Sequence, residues 1–174
     1  DCRVTGAAPL PTRPVRIARR AGLDLHPLDV SDDDAMHWLE NLIWPEQDDR
    51  RTRLHAAIAI ARGDRPLLTT GDLLHDLPDL VEEARHDGPV VVFHSAVIAY
   101  LDGTGRAQFD QLIRSLVADG ACRWVSNESS TVLPSITSTA PAPPEDPTAF
   151  ALGVDGRAVA WTHGHGRAMH WLER

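Results

Sequence analysis

The sequence predicts an α/β fold, a Rossmann-like, mainly parallel sheet with flanking helices and a C-terminal antiparallel hairpin. Three observations carry that expectation. Pro89-Val-Val-Val-Phe-His-Ser95 is a run of β-branched and aromatic residues entered through Gly88 and ending in a polar pair, which is how a central strand buried on both faces reads. Strand-like and helix-like periodicities alternate from Pro66 to Ser126, as parallel crossover units require. Beyond Pro147 the pattern changes to alternation around Asp155-Gly156, the signature of a hairpin with a type I′ turn.

A chain of 174 residues suits one domain, which can bury roughly two-thirds of its unfolded surface. The net charge of -8 argues against nucleic acid as the main partner, since a basic surface of the needed size is missing. All seventeen cationic residues are Arg. Without Lys there is neither a Schiff-base lysine nor a Walker-type phosphate loop. Cys2 and Cys122 are far apart, which reads as a reducing, cytoplasmic setting rather than a disulfide scaffold. No apolar run reaches membrane-spanning length, so a membrane partner is not expected.

In chain order, residues 1–14, with three prolines, read as an extended arm. Val15 to Val30 supplies one or two short extended pieces closed by Asp24 and Asp29. Ser31 stands where a helix N-cap belongs, before Asp32, Asp33 and Asp34, whose charges suit the positive end of the helix dipole. Ala35, Trp38, Leu39, Leu42 and Ile43 then follow at helical spacing until Trp44-Pro45. A second helix starts near Gln47 or Asp48, with Leu54, Ala57, Ile58 and Ala61 on one stripe and Gly63 at its end. Pro66 to Thr70 is a short strand, Leu77, Leu80, Val81 and Ala84 mark a helix, and the run ending in His94-Ser95 comes next. Val97, Ile98 and Leu101 suggest a helical turn. Phe109, Leu112, Ile113, Leu116 and Val117 make a helix, and Cys122 to Ser126 a strand ending in Asn127 and Glu128. Residues 134–147 hold five prolines and read as a loop. After the hairpin, Ala168 to Leu172 adds an antiparallel strand.

Taken together, Arg20-Ala-Gly-Leu-Asp-Leu-His-Pro-Leu-Asp-Val30, Trp38-Leu39 with Trp44-Pro45-Glu46, Gly71-Asp72, Val92-Phe93-His94-Ser95 with Tyr100-Leu101, Trp124-Val125-Ser126-Asn127-Glu128, and His165-Gly166 with Trp171-Leu172 resemble a bacterial family of unknown function. The likeness runs from about Val15 through nearly the whole chain. Members of that family look like S-adenosylmethionine-dependent methyltransferases in strand order. The resemblance implies S-adenosylmethionine as cofactor and a glycine-containing motif upstream of these residues, which would make residues 1–174 the C-terminal part of a larger domain. No glycine-rich turn follows a predicted strand here, and Gly164-His-Gly166 lacks the third glycine of the dinucleotide fingerprint.

The candidate site lies at the carboxyl ends of the strands, where open parallel sheets collect ligands. Asp24 and Asp29 are candidates for accepting hydrogen bonds from ribose hydroxyls, against simple capping of the next helix. Gly71 permits close backbone approach, and with Asp72 it is a candidate for an adenine amino group, again against capping. His94 is a candidate general base, Glu128 an acid or base beside it, and Ser95 a contact to the cofactor or acceptor. The competing reading makes His94 a histidine hydrogen-bonded within the sheet. His163 and His165 fall on one strand face, with His170 nearby, but no cysteine or spaced carboxylate completes a zinc set. The leading expectation is transfer of a methyl group to a small molecule. The alternative is a non-catalytic Rossmann-like protein that binds a ligand or partner.

Overall fold

The computed structural model describes residues 2–144 and 148–173; the last part of the expected proline-rich loop, residues 145–147, lies outside the described residues. In chain order the elements are β1 (Arg3–Thr5), β2 (Ala21–Asp24), α1 (Asp33–Asn41), α2 (Asp48–Gly63), β3 (Leu67–Thr70), α3 (Leu73–Ala84), β4 (Val91–Ser95), α4 (Gly103–Ala118), β5 (Arg123–Ser129), α5 (Pro134–Thr137), β6 (Ala149–Val154), β7 (Arg157–His163) and β8 (Ala168–Trp171). They form two compact units, residues 19–76 and residues 1–18 with 77–174.

In the unit of residues 19–76, β2 and β3 are parallel, with Ala21 opposite Leu67 and Asp24 opposite Thr70. Parallel neighbours need a long crossover, which α1 and α2 supply. The cap of α1 is Asp32, one residue beyond the expected Ser31; its Oδ1 accepts from Asp34 N at 2.9 Å and Ala35 N at 3.1 Å. Ser31 instead gives both its N–H and its hydroxyl to Asp29. Met36 is the buried residue of α1, and Arg62 of α2 reaches back to Asp33 at 2.6 Å and to the Val30 carbonyl at 2.8 Å. Of the expected stripe of α2, Leu54, Ile58 and Ala61 are half-buried and Ala57 is exposed.

The larger unit is built on a six-stranded sheet of order β1-β8-β7-β6-β5-β4. It is mixed. β4 with β5 and β1 with β8 are parallel, while β5 with β6, β6 with β7 and β7 with β8 are antiparallel. The expectation of a mainly parallel sheet is corrected accordingly, because the hairpin joins directly beside β5 and brings three antiparallel ladders. The expectation for Pro89–Ser95 is corrected too: β4 is the edge of this sheet, with Phe93 77% exposed. β3 pairs with β2 in a separate two-stranded sheet. Within residues 1–14, Arg3–Thr5 forms a strand rather than a featureless arm, and Pro134–Thr137 within 134–147 forms a short helix.

One face of the sheet carries the core. Trp124, Ser126 and Glu128 alternate inward along β5, opposite Phe109 and Ile113 of α4, all buried. A fully buried Ile or Phe contributes about 1.5–3 kcal/mol over an exposed one. Ala149, Ala151 and Trp161 continue this buried face on β6 and β7. Gly153 has no side chain because a Cβ there would lie 2.7 Å from Ser126 Oγ and 2.9 Å from Ile136 Cγ2. The hairpin turns at Asp155 (φ 48°) and Gly156 (φ 80°), as the type I′ signal requires. Asp155 also accepts from Trp124 N at 2.8 Å and Arg123 Nε at 2.6 Å, tying the turn to β5.

Candidate functional site

His94 and Glu128 lie on adjacent parallel strands with both side chains buried. His94 Nδ1 is 2.7 Å from Glu128 Oε1, and Trp124 Nε1 is 3.0 Å from His94 Nε2. Indole N–H can only donate, so Nε2 carries the lone pair and the proton sits on Nδ1, donated to Glu128. The imidazole is therefore held neutral in one tautomer. Phe109 packs edge-on against it with centroids 5.2 Å apart, and the Arg114 guanidinium lies 5.7 Å from the Trp124 ring centre. Both ring nitrogens are engaged inside the protein.

Glu128 Oε1 also accepts from Val97 N at 2.9 Å and Ile98 N at 3.1 Å. Burial pushes the Glu128 carboxyl up. The bonds from His94, Val97 and Ile98 outweigh this and hold it below its ordinary range. Oε2 has no hydrogen-bond partner among the described residues and is buried. The turn that delivers the two amides begins at Ala96, a non-glycine residue at φ 55°. Arg106 steadies its far side, donating to Leu101 O at 2.9 Å and Ala99 O at 2.8 Å. Ile98 is buried and Tyr100 is 90% exposed.

Ser95 faces the other side of the sheet. Its hydroxyl accepts from Asn127 Nδ2 at 3.2 Å, and Asn127 Oδ1 accepts from Thr162 at 2.7 Å. This gives a row of hydrogen-bonding groups, exposed at Ser95 and half-buried at Asn127 and Thr162. The sequence reading named Asn127 only as part of the polar end of its strand, and did not name Ala96. Asn127 adjoins Glu128, but nothing in the sequence marks an alanine for the left-handed region.

In the unit of residues 19–76 the structure brings Asp24 and Gly71 together: Gly71 N donates to Asp24 O at 3.0 Å. The Asp24 carboxylate accepts from His26 N at 2.8 Å, turning the chain after β2. The space beside Gly71 is taken by Asp76, whose Oδ2 would be 2.7 Å from a Cβ there and accepts from Asp72 N at 2.7 Å. Asp72 in turn accepts from Leu74 N at 2.8 Å at the head of α3. Ser31 hydrogen bonds, foremost its hydroxyl, hold Asp29 below its ordinary range, with Arg65 adding attraction. A cleft of about 410 Å3 between α1 and α2, lined by His37, Glu40, His55 and Ile58 among others, was not signalled by the sequence.

In the larger unit, His165 N donates to His163 Nδ1 at 3.0 Å, and His170 Nδ1 lies 2.9 Å from Thr5 Oγ1. Among the described residues no group of three or more His, Cys, Asp or Glu is placed to hold a metal ion. Cys2 and Cys122 are both free thiols. No helix among the described residues is long and apolar enough to cross a membrane.

The fold and site define a mixed α/β protein in which a buried histidine and glutamate support the loop leaving an edge strand. The chain belongs to the family described as "Uncharacterized protein conserved in bacteria (DUF2332)", whose model matches residues 1–171. No curated protein and no solved structure matches it.

Proposed function

We propose that this is a methyltransferase-like protein that binds S-adenosylmethionine and serves a small-molecule acceptor. The observation that supports it lies in the unit of residues 19–76. Asp24 and Gly71-Asp72 stand at the carboxyl ends of two parallel, in-register strands, so a carboxylate and the backbone turn of Gly71-Asp72 occur at the same end. That is the pairing a nucleoside needs: an acceptor for ribose hydroxyls, and backbone beside a base. His94 and Glu128 enter this reading differently from a free acid and base. With both imidazole nitrogens engaged, catalysis here consists of aligning the acceptor with the sulfonium methyl.

The purified protein, heated with S-adenosylmethionine or S-adenosylhomocysteine, is expected to unfold at a saturably higher temperature; 100 Kd of ligand corresponds to about 2.7 kcal/mol. Asp24→Asn is expected to diminish the shift. No shift with either ligand at millimolar concentration overturns the reading.

The second reading is a non-catalytic ligand- or partner-binding protein. It draws on the same engaged His94 nitrogens and on the exposed Phe93 and Tyr100. It predicts binding without methyl turnover.

A further inference from the structure

We propose that the cleft between α1 and α2 is a binding site for a small apolar monocarboxylate, whose charged group is held by His37 and Arg62 and whose body lies over Met36, Ile58 and Ala59. The site lies wholly within the unit of residues 19–76. It does not rest on the S-adenosylmethionine reading, which uses Asp24, Gly71 and Asp72.

The two helices are clasped at both ends of the cleft. At one end Arg62 reaches Asp33 at 2.6 Å, and at the other His55 Nε2 lies 3.1 Å from Glu40 Oε1. With 33 opposite 62 and 40 opposite 55, the helices run antiparallel. Each helix advances seven residues from one clasp to the other, about 10 Å at the rise of an α-helix. Between the clasps stand Met36 and His37 on α1, and Ile58 and Ala59 on α2. Long side chains bridge the ends, whereas Ala59 stops at its Cβ. The middle stays open as a space of about 410 Å3. Sites for small molecules run from roughly 300 to 1,000 Å3.

The lining decides what kind of molecule fits. Met36 is buried, and with Ile58 and Ala59 it provides an apolar floor. Both acids in the cleft are compensated, Asp33 by Arg62, and Glu40 by His55 and by Arg51, whose Nε lies 3.8 Å away. What remains is capacity to donate. The His37 ring has no hydrogen-bond or ion-pair partner among the described residues. Arg62 gives Nε–H to Val30 O and one terminal nitrogen to Asp33, which leaves its other terminal nitrogen without a partner among them. His37 follows Asp33 by four positions on α1, so it lies on the same helix face, one turn from the Arg62 clasp. A carboxylate offers two oxygens to an imidazole N–H and a guanidinium N–H, and such charge-assisted bonds are the stronger kind. A cationic amine has no acceptor to offer them. A doubly charged phosphate would set a second negative charge near Asp33 and Glu40.

The test titrates the full chain by calorimetry with naphthoate and hexanoate, each beside its uncharged amide, and with naphthylmethylamine as the cationic counterpart. At least one carboxylate is expected to bind saturably, one to one, and about tenfold tighter than its amide, and the amine is expected not to bind. His37→Ala, at an exposed side chain, is expected to leave the unfolding temperature unchanged and to weaken that carboxylate about tenfold. Ala59→Phe, which fills the gap from α2, is expected to abolish binding without lowering the unfolding temperature. Arg62→Gln is expected to bring carboxylate and amide to similar affinity; if it does not fold, the other two variants decide. Failure of both carboxylates to bind at millimolar concentration overturns the proposal, and so does an amide or amine that binds as tightly as the carboxylate. Unchanged affinity in His37→Ala, or in folded Ala59→Phe, puts the ligand elsewhere and overturns it too.

Discussion

His94 donates from Nδ1 to Glu128 Oε1 at 2.7 Å while its Nε2 accepts from Trp124 at 3.0 Å. Two residues that a strand-end reading marks as an acid and base pair are thereby a fixed joint between β4, β5 and the loop after β4. The proton has one place, and the carboxylate has two further backbone donors to serve.

Glu128 makes stability depend on acidity in a definite direction. Its folded-state carboxyl is held below the ordinary range by hydrogen bonds that outweigh burial, so the unfolded chain binds the proton first. The stabilisation is present above the ordinary carboxylate range and is lost as pH falls through that range and below it. Urea unfolding measured between neutral and acid pH should show a shallower decline for Glu128→Gln than for the native chain. Parallel curves would mean that Glu128 is not responsible.

Trp124→Phe should cost about 2–4 kcal/mol, combining lost buried volume with an imidazole nitrogen left without its donor. The second part has its own signature. Nitrogen chemical shifts of His94 should report a single Nδ1-protonated tautomer in the native chain, and in the variant, where Glu128 still takes the Nδ1 proton, a changed Nε2 shift as that nitrogen loses its donor. A mixture already present in the native chain would contradict the hydrogen-bond assignment.

Gly153→Ala should be destabilising by about 1–3 kcal/mol, because its methyl would stand 2.7 Å from Ser126 Oγ and 2.9 Å from Ile136 Cγ2. Pairing it with Ser126→Ala should recover part of that loss. Simple additivity of the two changes, measured by denaturant unfolding, would show that the close approach is not the cause.

Phe93→Thr should change folding stability by no more than about 0.5 kcal/mol, since the ring is 77% exposed and leaves little buried surface behind. The same change should raise solubility, because it removes an apolar group from an edge strand. A loss of several kcal/mol would show that Phe93 is covered in solution.

What could be read in advance was the locally encoded part. Asp155-Gly156 specifies its turn through the backbone freedom of those two residues, and Phe109 and Ile113 specify the inward face of α4 by spacing alone. The place of β4 in the sheet was not legible, because Val-Val-Phe has the same pattern whether its edge is paired or open. His94 and Glu128 were each visible at a strand end, but their contact joins positions 34 apart and depends on which strands become neighbours. Ala96 left no trace, since nothing local favours the left-handed region for an alanine; its N–H donates to Asn127 O on the neighbouring strand at 3.1 Å, and the next amide to Glu128. At α1 the difference between Ser31 and Asp32 is one of register, both being suitable caps.

The short strand β1 pairs in parallel with β8, placing Arg3 beside Ala168 and Thr5 beside His170. Partners separated by 165 positions can meet only after almost every intervening residue has been synthesised. With three exposed residues to reward closure of so long a loop, this pairing should form last during folding and be the first to fray on warming.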